Sequence, residues 1–199
     1  MKYTKDLRVE FSKKTAFTIR DIKNFLSKKN ISSNYLGVLL HNLRKKGELK
    51  RIGRGVYTLR EELEVVGFAF FPFYYGLQES LSIRNLWEQE TNPVVLTTRK
   101  IRAGMRNFLG NNYVVKRINR KMFFGFEMVR YYDFWIPVSD VEKTLIDFVY
   151  FREPLLPDTL AEIKKRINMD VLRNYLKRCP ERVRKKVVAL IKQTNKKSK

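Results

Sequence analysis

Residues 32–59 run SSNYLGVLLHNLRKKGELKRIGRGVYTL, and their order decides what the N-terminal part of the chain can be. Leu36, Leu39, Leu40 and Leu43 recur at i, i+3, i+4 and i+7, so a helix over residues 34–46 carries one apolar stripe. At roughly 100° per residue, Asn34, Val38, His41 and Lys45 fall on the opposite side, with Arg44 on the flank. Ser32-Ser33 offers an N-cap, and Gly47 stands where a C′ residue lets the chain turn away. Two β-prone runs follow, Leu49–Ile52 and Val56–Leu59, joined by Gly53-Arg54-Gly55. That pattern predicts a hairpin whose glycines permit the positive φ of a tight connection and whose tip presents Arg54.

Upstream of this stretch, Thr18-Ile19-Arg20-Asp21 has the form of a capping box with Asp in place of Glu. Ile22, Phe25 and Leu26 then continue at helical spacing, giving a helix over 18–28 that Asn30 and Ile31 break. Residues 4–13 form a weaker amphipathic helix with Leu7 and Phe11 on one face. Helix, helix, turn, helix and basic-tipped hairpin is the winged helix-turn-helix order, here over residues 1–60. In that geometry a helix enters the major groove while the hairpin tip reaches an adjacent minor groove or phosphate. Asn34 is then placed to read adenine, and His41 or Lys45 to reach a base or a phosphate. Arg44, Lys46, Lys50, Arg51 and Arg54 supply charge to the backbone. Thr18, Ser32, Ser33, Tyr35, Val38 and Asn42 complete the candidate DNA-binding set. The competing assignment is an α-helical bundle with solvated charged faces, but a bundle has no need of a Gly-Arg-Gly tip.

Charge supports the same direction. The 199-residue chain carries +22, and residues 1–60 hold sixteen Lys and Arg against four Asp and Glu. Residues 160–199 hold fourteen against three, while the stretch between is balanced at twelve against thirteen. Positive charge segregated into two blocks points to a polyanion partner, where solubility alone requires no segregation. The single Cys179 and single His41 exclude an internal disulfide and leave a zinc cluster without ligands. The first residues contain no apolar leader, and the longest apolar run, 65–77, is broken by Gly67, Pro72 and Gly76. A membrane span needs roughly twenty apolar residues. A cytoplasmic protein without cofactor or membrane partner is expected.

Beyond Arg60 the acidic Glu61-Glu62-Leu63-Glu64 is read as a connection to a second domain, 61–199. Pro72 precedes a helix through about Glu88, with Leu77, Leu81 and Trp87 as core contacts. Strands are expected at Val94–Thr98, Tyr113–Ile118, Met122–Val129 and Tyr131–Ile136; the loop over 99–112, with Arg99, Lys100, Arg102 and Arg106, is read as solvated, the alternative being a phosphate contact. Ser139-Asp140-Val141-Glu142 forms a capping box that opens a helix to Phe151. Three short helices follow near 158–166, 169–178 and 181–193, the first capped by Asp158 and the last started by Pro180. In the last, Val183, Val187, Leu190 and Ile191 oppose Arg182, Arg184, Lys185 and Lys186. This helix is a nucleic-acid surface, a dock for an acidic partner, or a helix packed on its own domain. The expected class is α+β: an N-terminal winged helix-turn-helix, then a small, mainly antiparallel sheet with helices and a helical C-terminus.

Asp140, Glu142 and Asp147 invite a metal site, which is not adopted. Capping accounts for Ser139 and Glu142, Asp140 favours the positive helix end, and no histidine is near. No Walker loop, nucleophile elbow or paired-carboxylate spacing is present, and Glu142-Lys143 does not meet the Glu-x-Lys nuclease pattern. An enzyme is therefore not expected.

Residues 49–57, LKRIGRGVY, look like the wing of the AbiEi antitoxin family, transcriptional regulators of viral-defence operons. Tyr74-Tyr75-Gly76-Leu77 through Leu86, the strand at 94–98, FFGFE at 123–127 and VSDVEKTLID at 138–147 resemble its downstream domain in order. The similarity spans residue 18 to about residue 180. It implies a winged-helix domain that binds promoter DNA, often at inverted repeats, and represses its own operon. It also implies a nucleotidyltransferase-like toxin that the C-terminal domain helps to counteract. One departure is the aromatic cluster Phe68, Phe70, Phe71, Phe73, Tyr74 and Tyr75, which is either core or an apolar interaction patch. The leading function is thus an autorepressor with an antitoxin role. Two alternatives stand beside it: a metal-dependent nucleic-acid-processing enzyme using Asp140, Glu142 or Asp147, and a non-specific nucleic-acid-binding protein. Operator sequence and oligomeric state are not fixed by these residues.

Overall fold

The computed structural model describes residues 3–32, 34–86 and 91–192. Helix α1 (Thr4–Phe11) buries Leu7 and Phe11, one turn apart, and leads into the two-residue strand β1 (Phe17–Thr18). Thr18 then caps α2 (Ile19–Lys28): its hydroxyl accepts the Asp21 amide at 3.2 Å, and its own amide donates to the Asp21 carboxylate at 2.7 Å. The reciprocal box predicted from the sequence is complete. Asn30, at φ 54°, ends that helix.

Helix α3 (Tyr35–Lys45) starts without a side-chain cap. Ser32 Oγ accepts the Asn34 amide at 3.3 Å instead, and Ser33 lies outside the described residues. Ser32 therefore shapes the turn rather than capping the first helical amides. At the far end the Gly47 amide donates to Arg44 O (2.9 Å) and the Glu48 amide to Leu43 O (3.0 Å), with Gly47 at φ +70°. This is a Schellman closure, which needs the left-handed C′ residue that glycine adopts without penalty.

Strands β2 (Lys50–Gly53) and β3 (Val56–Thr58) make the hairpin, and β1 adds to its other edge in the order β1-β3-β2, all antiparallel. Gly55 takes φ +73° in the two-residue turn. Gly53 does not need that freedom: a Cβ there would sit 2.7 Å from Ala69 Cβ, so its role is close approach. Ala69 belongs to the 3-10 helix Leu63–Phe70, which lies on the hairpin. Residues 61–71, read from the sequence as the connection and the start of the next domain, thus group with the first unit, Met1–Phe71 and Asn107–Asn111. Its core joins Leu7, Phe11, Phe17, Ile22, Leu26, Leu39 and Leu43, with the Phe11 and Phe17 rings 4.3 Å apart.

The second unit, Pro72–Arg106 and Asn112–Lys199, is built on a six-stranded sheet. Its elements are β4 (Phe73–Tyr75), α4 (Gln78–Ile83), β5 (Val94–Thr97), β6 (Gly104–Phe108), β7 (Asn111–Arg117), β8 (Phe126–Tyr131) and β9 (Phe134–Ser139). Helices α5 (Val141–Phe151), α6 (Pro157–Arg166), α7 (Met169–Leu176) and α8 (Glu181–Lys192) follow. The strand order is β6-β7-β5-β4-β9-β8. The sheet is mixed rather than mainly antiparallel, because β4 runs parallel to β9 and β5 to β7. Such pairs join strands remote in the chain, which reading neighbours as hairpins overlooks.

Other expectations shift. Residues 73–75 are strand, not helix, and the helix after them is shorter; Trp87 and Glu88 lie outside the described residues. Tyr74 and Tyr75 are both fully buried, so no alternation marks the strand. Four of the six clustered aromatics, Phe70, Phe73, Tyr74 and Tyr75, are core, whereas Phe71 is exposed. The region 99–112 contains β6, and the 3-10 turn Arg120–Met122 delays β8 to Phe126. Asp140, not Ser139, caps α5 by accepting the Lys143 amide at 2.7 Å. Helix α6 begins at Pro157 after Leu156, with Asp158 in its first turn rather than at its cap. In α8, Val183 and Val187 are buried and the helix packs on α5.

Candidate nucleic-acid interface

Helix α3 separates its two faces as its periodicity requires. Leu39 and Leu43 are fully buried, with Leu36 and Leu40 half-buried beside them. Asn34, Val38, His41, Arg44 and Lys45 are exposed, and Tyr35 and Asn42 are half-buried on the flanks. Val38 is 51% exposed, so an apolar side chain stands in water between polar neighbours.

Gly37, which sequence reasoning passed over, is also exposed on this face. Glycine within a helix costs roughly 0.5–1 kcal/mol relative to alanine. No packing demands it, since a Cβ at Gly37 would meet nothing within 4 Å. A flat spot flanked by Asn34, Val38 and His41 is what close approach of another molecule's backbone would use. The available signal was a glycine inside an otherwise strong helical pattern.

The cations divide into committed and uncommitted groups. Lys50 Nζ binds Glu61 at 2.8 Å and the Leu59 carbonyl at 3.3 Å, so it is not the free backbone charge read from the sequence. Arg51 Nε donates to Gly53 O at 3.1 Å, bracing the hairpin. Arg8 pairs with Glu48 at 2.6 Å and Lys29 with Asp6 at 3.3 Å. By contrast, the side chains of Arg44, Lys45, Lys46 and Arg54 have no hydrogen-bond or ion-pair partner among the described residues. Arg54 stands exposed in the hairpin turn.

Thr18 is exposed but its hydroxyl is committed to the cap, donating to the Asp21 carboxylate at 2.7 Å. The Thr18 amide and hydroxyl together hold the Asp21 carboxyl below its ordinary range. The adjacent Ile19 amide donates to Gly55 O at 3.0 Å, which fastens the hairpin turn to the start of α2. An open cleft of about 590 Å³ in this unit is lined by His41, Arg44, Lys45, Lys50 and Arg51, together with residues 107–109.

The second unit buries an ion pair. Lys143 and Asp147, one turn apart on α5, are fully buried and ion-paired. Tyr74 donates to Asp147 at 2.9 Å and lies 2.8 Å from Lys143 Nζ, which also sits 5.2 Å from the Phe124 ring centroid. Burial pushes the Asp147 carboxyl and the Tyr74 phenol up. The other two candidate carboxylates are equally engaged. Asp140 caps α5 and accepts the Tyr175 hydroxyl at 2.7 Å, while Glu142 accepts the Asn168 amide at 2.6 Å. Among the described residues no group of three or more metal-ligating side chains converges, and no helix is long and apolar enough to cross a membrane.

Residues 9–60 match the AbiEi_4 family, described as "Transcriptional regulator, AbiEi antitoxin", so the family resemblance holds for this segment. No curated protein matches the chain. Among solved structures, the RV2827C protein from Mycobacterium tuberculosis is similar with a TM-score of 0.60 at 11% sequence identity. The similarity covers 88% of this chain and 71% of that one. That likeness extends the α+β fold across both units. The family match associates residues 9–60 with a regulator and antitoxin role, a class that is ordinarily non-enzymatic.

Proposed function

We propose that the first unit is a winged helix-turn-helix that binds double-stranded DNA upstream of the chain's own gene and represses it. One observation carries this: α3 exposes Asn34, Gly37, Val38, His41 and Lys45 opposite its buried leucines, in a unit whose hairpin turn presents Arg54, unpartnered among the described residues. The element order α1-β1-α2-α3-β2-β3 and the family match over 9–60 support it. In this function α3 enters the major groove, Asn34 hydrogen-bonds an adenine edge, and Val38 covers a thymine methyl. Lys45, Arg44 and Arg54 contact phosphates or the minor groove. Ser32, Tyr35, Asn42 and Arg51 hold the surrounding backbone in place.

A gel shift on the native upstream region, with scrambled competitor at two salt concentrations, tests the proposal. Sequence-specific binding supports it. Equal affinity for both DNAs with a steep salt slope assigns the chain to non-specific binding instead. The second unit is assigned an antitoxin role against a nucleotidyltransferase-like toxin of the same viral-defence operon, within the cytoplasm. Co-expression with the neighbouring gene product should restore growth, and Arg54→Ala should retain that rescue while losing repression. Absence of rescue overturns the antitoxin role and leaves the DNA-binding function standing.

A further inference from the structure

Strands β5 and β7 run parallel and end together, at Thr97 and Arg117. In sheets containing parallel strands, the crevice beyond their carboxyl ends is where ligands settle, because loops leaving adjacent strands diverge there. The second unit has such a crevice, a cleft of about 450 Å³. The loop after β5 contributes Thr98 and Lys100, the segment after β7 contributes Ile118, Asn119 and Arg120, and α5 contributes Tyr150. Arg117, the last residue of β7, completes it.

Its chemistry is one-sided. Lys100, Arg117 and Arg120 line it, and among the described residues no carboxylate does. None of their three side chains has a hydrogen-bond or ion-pair partner among the described residues. Three cations left without counter-charge repel one another, which is a standing cost that an anion would relieve. Thr98, Asn119 and Tyr150 add neutral polar groups around them, and Ile118 provides a buried apolar floor. Two guanidinium groups and an ammonium around a polar rim match a phosphate ester, whose oxygens accept several charge-assisted hydrogen bonds at once. The volume falls in the range of small-ligand pockets. A concave cleft of that size takes a phosphorylated small molecule, whereas duplex phosphates lie along an extended surface.

We propose that this cleft binds the phosphate of a small phosphorylated ligand, with mononucleotides as the class to probe first. Calorimetric titration of the full chain with ADP and with inorganic phosphate tests it. Both are expected to bind, and Arg117→Ala with Arg120→Ala should weaken ADP by about tenfold or more. Lys100→Gln alone should weaken it less and is the safer variant for folding. Far-UV circular dichroism and upstream-DNA affinity should stay at wild-type values in all variants. Two results overturn the proposal: no ADP or phosphate binding at millimolar concentration, or ADP binding unchanged in the double variant. A third does so as well: the double variant loses duplex affinity while ADP, bound elsewhere, is unaffected. That outcome assigns the cleft to a nucleic-acid backbone.

Discussion

The exposed face of α3 in the first unit and the core beneath α5 in the second treat charge in opposite ways. In the first, Arg44, Lys45 and Arg54 stand in water with no partner among the described residues, while in the second Lys143 and Asp147 are removed from water and satisfied by each other and by Tyr74. An exposed cation adds little to folding and is free to act on another molecule. A buried pair acts on nothing outside, and its loss falls entirely on stability. The same residue types thus form the proposed DNA-facing surface on α3 and an internal fastening on α5.

The hardest test of that contrast is Lys143→Met. It leaves the Asp147 carboxylate buried without its cation and should cost about 3–5 kcal/mol. Removing the whole triad, Lys143→Met with Asp147→Leu and Tyr74→Phe, should recover most of that loss, because apolar side chains replace the desolvated ion pair and no buried hydroxyl is left without its partners. Urea denaturation reads both variants. If the triple variant is as unstable as the single one, the fastening is a packing effect rather than an electrostatic one.

The first unit should show the reverse. Asn34→Ala should reduce discrimination at one base position by about 1–3 kcal/mol, and Arg54→Ala should lower the salt slope by about one. Neither should move stability by more than about 0.5 kcal/mol. Comparing operator affinity with the denaturation midpoint for each variant separates the two effects.

A smaller effect comes from Thr18→Ala, which should cost about 1 kcal/mol by removing the cap of α2. Asp21 gives this a pH dependence. Its carboxyl is depressed by the Thr18 amide and hydroxyl, so its contribution is fully present above the unfolded value near 3.9 and is lost as pH falls through the folded value. The deficit of the variant should therefore shrink in acid, as denaturation at neutral and acidic pH will show. Gly37→Ala is the smallest change and the most diagnostic. It should stabilise the fold by about 0.5–1 kcal/mol while weakening operator binding. A variant both more stable and equally able to bind would place the DNA elsewhere.

Much of the first unit was legible because its signals are local. The leucine spacing on α3, the Thr18–Asp21 box and the Gly47 exit each involve a few adjacent residues, and each forms as read. Strand β1 was not visible, since two residues carry no period and their pairing with β3 is a long-range event. Lys50 looked free because Glu61, its partner, is eleven residues on and reads as linker. In the second unit the buried Lys143 was invisible for a related reason. A lysine following Glu142 in a capping sequence resembles a solvent-facing residue until the fold places Tyr74 and Phe124 around it. Arg117 and Arg120 went unremarked because the parallel pairing that brings them beside Lys100 spans β5 and β7, and a third strand, β6, lies between those two in sequence.

The bond from the Ile19 amide to Gly55 O joins the hairpin turn to the first residue of α2, just beyond the threonine that both ends β1 and caps that helix. One short span thus clamps helix and hairpin together at their tips. The distance from Arg54 to the helices is set by covalent and hydrogen-bonded geometry, not by a loop that can stretch. A target whose grooves are compressed or overwound must adapt its own shape to meet both contacts. In the DNA complex proposed above, mechanical compliance would therefore rest with the nucleic acid, and flexible base steps between the contacted positions would become part of what is selected.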